Sequence, residues 1–412
     1  MSRTDAPRIA ILGAGPVGLE AALYAASLKL PFRVYERGKA GDNLRRWGHV
    51  KLFTPFGMNA TPLGRATLRA DKHKLPGDQD LLTGREHLAA YLDPLAKCSL
   101  LAGRVETDTA VVCVGRKGHL KEESPPENRR AASPFRLLLR GEKGQERVEE
   151  SEVVLDCTGT YGNGRYLGDG GIPAVGELAA RPNIACGLED ILGEKAAHYA
   201  DRTTLVVGAG FSAATSVVLL AELAKKHPST WIVWLARSTG SQPIKRLMSD
   251  PLRERDLLAA KANMLATRGE GHVEFHAGSV LDLVEPAKDG FTVKARVGGV
   301  ARSWSVDRVI ANVGYEPDPR LYRELQVHEC YASLGPMRLA AALARHAGGD
   351  CLTVGSQGAS TLQNPEPNFY ILGMKSYGRA SNFLMRTGFE QVREAFTLMI
   401  GKPDLDLYRA AR

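Results

Sequence analysis

A buried strand that runs straight into a glycine-rich turn and a helix is one of the few local patterns that constrain a whole architecture. This chain carries it twice, as "IAILGAGPVGLEAA" from Ile9 and "TLVVGAGFSAATSV" from Thr204. Each copy opens on a short apolar run, which reads as a strand covered on both faces of a parallel sheet. In the first copy, Leu19 to Leu28 reads as a helix, Pro31 breaks it, and "FRVYER" is the next strand. In the second, a helix from Ala213 to about Lys226 ends before Pro228, and "TWIVWLAR" follows. Both are βαβ units, and a parallel sheet is the consequence.

Each unit has a late partner. "ESEVVLDCTGTYG" closes the first half, after a hairpin from "FRLLLRG" through "EKGQE". "VDRVIANVGYEPD" closes the second, after "VEFHAGSVLDLVEP" and "GFTVKARVGGVARSWSV". The expected fold is α/β, with two Rossmann-like dinucleotide-binding domains, the second inserted into the first. The expected spans are residues 1–185, 186–316 and 317–412. Residues 119–134, with Pro125 and Pro126, read as a solvated loop.

Composition removes several classes. A chain of 412 residues, 44% apolar and 24% charged, is that of an ordinary globular protein with a sizeable core. The net charge of +8 is spread in pairs such as Arg45-Arg46 and Lys225-Lys226, with no long basic run. Nucleic acid is therefore not expected as a partner, and the mild positive field suits an anionic dinucleotide. None of the six cysteines forms a C-x-x-C pair, and there is no H-E-x-x-H. That leaves no redox-disulfide or metal signature. Ala213 to Ala224 is too short to span a bilayer and contains Glu222. The first strand begins at Arg8 and leads straight into a glycine turn, so it reads as structure and not as a signal peptide. The expected location is a reducing cytoplasm.

The glycines have separate jobs. Gly13 makes the tight turn, Gly15 lets backbone approach a pyrophosphate, and Gly18 lets helix pack close to strand. Pro16 opens the helix, whose N-terminal N–H groups and partial positive charge face the phosphates. Glu36 ends the next strand, where a carboxylate accepts hydrogen bonds from ribose hydroxyls. The second turn, Gly208, Gly210, Ser212 and Ala213, replaces the third glycine with alanine, an accepted variant. Its next strand ends in Arg237, followed by Ser238. Arg grips a 2′-phosphate through charge-assisted hydrogen bonds of about 1.5–3 kcal/mol, tenfold or more in preference. The alternative is a plain surface arginine; Lys245 and Arg246 are weaker candidates for the same job. One plain and one phosphorylated ribose suggest FAD at the first turn and NADPH at the second. Arg37, Trp47, Thr158, Gly159 and Gly314 join the candidate cofactor contacts.

With these residues in place, the chain resembles the two-dinucleotide-binding-domain flavoproteins. Within that group it is most like the flavin-containing (class B) monooxygenases and N-hydroxylases. The resemblance rests on the two glycine turns with Glu36 and Arg237, on "DCTGTYG" and "ANVGYEPD", and on "PNFYILGMKSYGRASNFLMRTGFEQVREAF". It implies that Arg386, Thr387 and Gly388 stand beside the flavin, with Glu390 to Met399 as a helix; the alternative is an ordinary buried final helix. Ile191, Gly193 and His198 fill a loosened form of the fingerprint that class B monooxygenases carry before the NADPH turn. "DNLRRWGHVKLFTPFGMN" falls where related enzymes cross the flavin face. Its alternation places Trp47, His49, Lys51 and Phe53 on one side of an extended segment. Lys51, His49 and Asn382 are the candidate catalytic residues, with a surface strand edge as the alternative for the first two. Thr54 and Pro55 stand where related enzymes carry an Asn.

The resemblance implies an NADPH-dependent flavin monooxygenase that oxygenates nitrogen, sulfur or a carbonyl centre of a small molecule through an oxygen adduct of the flavin. Two alternatives stay open: an oxygen-independent NADPH reductase or dehydrogenase without redox cysteines, and a non-catalytic flavin-binding sensor. Cys157, alone at a strand end, reads as a packing thiol. A homodimer is the default expectation for assembly.

Overall fold

The computed structural model describes residues 6–123, 129–269, 272–346 and 350–411. Residues 124–128, which include Pro125 and Pro126 of the expected loop, lie outside them; Arg129–Ala132 just beyond is one helical turn. The chain forms two compact units. One comprises residues up to Arg45, Thr54–Asn163 and Glu316 onward; the other comprises Arg46–Phe53 and Gly164–Tyr315.

The first unit holds β1 (Ile9–Leu12), β2 (Phe32–Tyr35), β3 (Val105–Glu106), β4 (Thr109–Arg116), β5 (Phe135–Gly141), β6 (Glu146–Ser151) and β7 (Val153–Asp156). The second holds β8 (Thr203–Val207), β9 (Trp231–Leu235), β10 (Val273–His276), β11 (Ser279–Ala287), β12 (Gly290–Val297), β13 (Val300–Val306) and β14 (Arg308–Ala311). The chain then returns to the first unit through β15 (Phe369–Ile371).

In the first unit a parallel sheet runs β15-β7-β1-β2-β3, with Ile9 of β1 opposite Phe32 and Val153. All four residues of β1 are buried, as its unbroken apolar run requires. The helix Pro16–Ser27 crosses from β1 to β2 and buries Val17 to Ala25 without interruption, so it is covered on every side. Strands β4-β5-β6 form an antiparallel sheet. Phe135, Leu137 and Leu139 of β5 meet Ala10, Leu12, Phe369 and Ile371 in one core.

In the second unit the parallel sheet runs β10-β9-β8-β14. On one side Val217 and Leu220 of the helix Phe211–Ala224 pack with Ala262 and Leu265 of Arg253–Arg268 against Val206 and Trp234. On the other, Val284 and Val293 of the antiparallel sheet β11-β12-β13 cover Leu205 and Val233. Both faces of the parallel sheet are thus sealed.

The units depart from the expected spans in two places. Residues 164–185 belong to the second unit, because single bridges tie Gly168 to Leu281, Val175 to Leu283 and Ala185 to Ile310. Residues 46–53 also belong to it, with the Phe53 ring edge-on to Phe211, centroids 5.5 Å apart. That segment is not the extended stretch the alternation suggested. Asp42–Arg46 is a short helix, and a turn follows in which the Val50 N–H donates to the Trp47 carbonyl at 3.0 Å. The backbone meets its hydrogen-bond demand locally, so Trp47, His49 and Lys51 do not share a strand face. Among the described residues no helix is long and apolar enough to cross a membrane.

Candidate functional site

The first glycine turn is built by steric exclusion. Gly13 has φ +94°, and a Cβ there would stand 2.9 Å from the Cys157 carbonyl oxygen. A Cβ on Gly18 would fall 1.9 Å from the Gly13 oxygen, so helix and strand close up only because that atom is missing. Gly15 differs: a Cβ there meets nothing within 4 Å, which is the open ground a phosphate needs. Gly15 is also the helix N-cap, extended and without a side-chain hydrogen bond, and Pro16 opens the first turn. Helix N–H groups without intrahelical partners therefore border this cradle, and an anion fits it.

Glu36 braces this cradle. Its carboxylate accepts from the Ala14 N–H at 2.7 Å and the Gly38 N–H at 3.0 Å. Arg37 is exposed, and its guanidinium lies over Gly162, where a Cβ would come within 2.9 Å. Gly159, with φ +68°, turns the chain away after β7. Thr158 is spent differently from a simple ligand contact. Its N–H and hydroxyl both donate to Asp156 Oδ1, at 3.1 and 2.6 Å.

The C-terminal helix spans Met385–Ile400, five residues earlier than the expected start at Glu390. Its N-cap Leu384 supplies no side-chain hydrogen bond. Thr387 and Gly388 are buried in its first turn, and a Cβ on Gly388 would meet Val17 at 2.6 Å. Gly388 thus lets this helix close on the N-terminus of Pro16–Ser27. The Arg386 guanidinium is exposed and donates to the Leu352 carbonyl at 2.8 Å. Asn382 Oδ1 and Asn43 Oδ1 are buried without a hydrogen-bond partner. Orphaned amides of this kind in the same unit fit a polar ligand.

The second cradle repeats the device with other atoms. Gly208 has φ +139°, and a Cβ there would lie 2.2 Å from the Asn312 carbonyl oxygen. Trp234 Nε1 donates to the Gly208 carbonyl at 2.8 Å and holds the turn from below. Gly210 is open in the same sense as Gly15 and is the uncapped N-cap of Phe211–Ala224. Ser212 is half-buried in the first turn, and Ala213 is buried. Asn312 links the parts, accepting from Ser216 at 2.8 Å and donating to the Gly187 carbonyl at 3.2 Å. Gly314, φ +92°, turns the chain after β14.

Arg237 and Ser238 are exposed just beyond β9, and Arg237 makes no ion pair among the described residues. Lys245 is exposed as well, while Arg246 is already committed to both oxygens of Asp256, at 2.8 and 2.7 Å. Lys51 is exposed with its amine 3.8 Å from Glu254, and His49 and Trp47 are half-buried. Ile191 of the loosened fingerprint is a core residue; His198 is exposed, and partial burial with Arg308 and Lys195 nearby holds its imidazole low.

Three features escaped the sequence. Lys375 is buried with its amine 2.7 Å from Asp156 Oδ2 and 3.1 Å from Thr158 Oγ1. Asn59 is buried and paired with Thr54, accepting its hydroxyl at 2.9 Å and donating to its carbonyl at 2.9 Å. Glu20 is fully buried in the first helix, where burial pushes its carboxyl up to about 7 against the opposing hydroxyls of Thr61 and Tyr408. A lysine inside the apolar run "NFYILGMKSYG" was the one available signal for the first. Burial pushes the Cys157 thiol far up, out of thiolate range. Among the described residues no cluster of three His, Cys, Asp or Glu is placed to hold a metal.

No protein-family model matches the chain, and no curated protein does. Solved structures do. The bacillithiol disulfide reductase of Bacillus cereus superposes with a TM-score of 0.69 at 18% identity, covering 97% of this chain and 100% of its own. The ornithine hydroxylase of Pseudomonas aeruginosa gives 0.64 at 14%, over 96% and 99%. An ornithine N-hydroxylase of Kutzneria sp. 744, solved with reduced FAD, NADP+ and L-ornithine, gives 0.63 at 15%, over 96% and 99%. The fold is that of the two-dinucleotide-binding-domain flavoproteins, as the motifs implied.

Proposed function

We propose that this chain is an FAD-dependent, NADPH-using oxidoreductase, and that it oxygenates a small molecule at a nitrogen, sulfur or carbonyl centre. The observation that carries the reading is the pair of open cradles, each at an uncapped helix N-terminus, with Glu36 beyond one and Arg237 beyond the other. FAD bound at the first would accept a hydride from NADPH and pass the electrons to dioxygen, one oxygen atom entering the substrate and the other leaving as water.

The remaining work is positioning. N–H groups at the start of Pro16–Ser27 bind the FAD pyrophosphate, and Glu36, besides bracing the turn, accepts a ribose hydroxyl. The N-terminus of Met385–Ile400 places its partial positive charge, with Arg386, Thr387 and Gly388, at the electron-rich edge of the flavin. Phe211–Ala224 binds the second pyrophosphate, with Ser212 in its first turn, and Arg237 and Ser238 bind the 2′-phosphate. Asn382 is the candidate to touch the reacting centre. His49 and Lys51 remain candidates for steering substrate.

Disulfide reduction, the activity of the Bacillus cereus enzyme by its name, is the second reading. The lack of any C-x-x-C pair and the raised Cys157 thiol disfavour a dithiol route. Turnover under labelled dioxygen, with a panel of amines, sulfides and ketones, tests the choice. Label in one product, matched to NADPH consumed, is expected. NADPH consumption that yields only free peroxide with every compound, or that persists without oxygen, contradicts the oxygenase reading and favours a reductase.

A further inference from the structure

A buried carboxylate is a poor neighbour for a dinucleotide. Asp156 ends β7 and is wholly buried, and it stands one residue from Cys157, whose carbonyl a Cβ on Gly13 would strike at 2.9 Å. A negative charge therefore lies beside the first cradle, where the proposed ligand carries two negative phosphates. Its field acts through protein, where attraction and repulsion are stronger than in water.

The chain answers with one cation. Lys375, 1% exposed, donates to Asp156 Oδ2 at 2.7 Å and to Thr158 Oγ1 at 3.1 Å. The amine also stands 4.9 Å over the centre of the Tyr322 ring. Thr158 is locked at the same time: its hydroxyl accepts from Lys375 and donates to Asp156, and its N–H donates to Asp156. The strand end presents the cradle with a neutral, fully hydrogen-bonded wall. Lys375 reaches it from Gly373–Tyr377, a turn whose Gly373 N–H donates to Gln391 of the C-terminal helix at 2.8 Å. A Cβ on Gly373 would meet Val17 of the first helix at 3.2 Å.

We propose that Lys375 is the counter-charge of the first cradle: it cancels the Asp156 carboxylate so that a dianionic dinucleotide is not repelled, and through Thr158 it holds the strand end in its binding shape. The inference rests on the reading that FAD occupies this cradle, and it makes Lys375 a positioning residue, not a catalytic one.

Lys375→Met and Asp156→Asn break the same ion pair, yet a charge role and a purely structural role predict different signs. FAD affinity of apo-protein, followed by fluorescence titration, is the readout, with melting temperatures measured alongside. K375M is expected to weaken FAD about tenfold at about pH 8. D156N is expected to bind FAD as tightly as the native protein or tighter. The double variant D156N/K375M, again neutral, is expected to return to within about threefold of native. Equal weakening by both single variants, or a double variant weaker than K375M, overturns the inference while leaving the FAD reading intact. Should K375M fail to fold, FAD binding by D156N weaker than native, or a double variant more than about tenfold weaker than native, overturns the inference. Failure of the native apo-protein to bind FAD overturns the FAD reading and this inference with it.

Discussion

The two cradles solve one steric problem with different atoms. In the first, backbone meets backbone: a methyl on Gly18 would fall 1.9 Å from the Gly13 oxygen. In the second, Ala213 keeps its methyl, and only the first glycine stays crowded, Gly208 against the Asn312 carbonyl as Gly13 is against that of Cys157. Beyond the turns the chemistry diverges as well. Glu36 is folded into the first turn through the Ala14 and Gly38 N–H groups, whereas Arg237 is exposed past the second and makes no ion pair among the described residues. On the proposed reading, the shared topology sets where phosphates sit, and the residue at the next strand end selects the nucleotide.

Breaking that comparison sterically should give the largest effect. Gly18→Ala is expected to destabilise the first unit by about 3 kcal/mol and abolish flavin retention. The converse change, Ala213→Gly, removes a small buried methyl and should cost only about 1 kcal/mol in helix propensity. Melting curves of the two variants check the contrast, and equal losses would erase it.

The helices behind the turns also differ. Glu20 occupies the place that Thr215 holds in Phe211–Ala224, where the Thr215 hydroxyl simply donates back to the Phe211 carbonyl at 2.9 Å. Because the folded Glu20 carboxyl is raised from 4.5 to about 7, the folded state holds a proton that the unfolded state has lost. Stability should be full below about pH 4.5 and fall by on the order of 3 kcal/mol as pH rises to about 7. Glu20→Gln is expected to flatten that slope in denaturant titrations across the range; an unchanged slope would place the titration elsewhere.

Electrostatic selectivity comes next in size. Arg237→Ala should lower kcat/KM for NADPH by about tenfold or more and leave NADH nearly unchanged. Equal losses for both would remove the 2′-phosphate role.

Much of this was legible in sequence for a physical reason. Strands such as "IAIL", buried throughout, and "WIVWL", buried after its first residue, carry unbroken apolar runs, and each crowded turn admits only glycine, so both leave marks in a single chain. Arg253–Arg268 left a weaker mark, since its buried residues mix Arg255 and Asn263 with Ala259, Ala262 and Leu265. Trp47, His49 and Lys51 misled because alternation of bulky side chains does not make a strand where local turn bonds satisfy the backbone. The Lys375–Asp156 pair joins residues 219 apart in sequence, and no local pattern announces such a partner.

The account's central claim is that the first cradle takes a flavin and the second a phosphorylated nicotinamide nucleotide. Apo-protein loaded with FAD and mixed anaerobically with NADPH tests it most directly, with the visible flavin absorbance as signal. The account predicts tight FAD retention and bleaching by NADPH at rates well above those with equal NADH. A protein that refuses FAD, or whose bound flavin stays oxidised under excess NADPH, would contradict it.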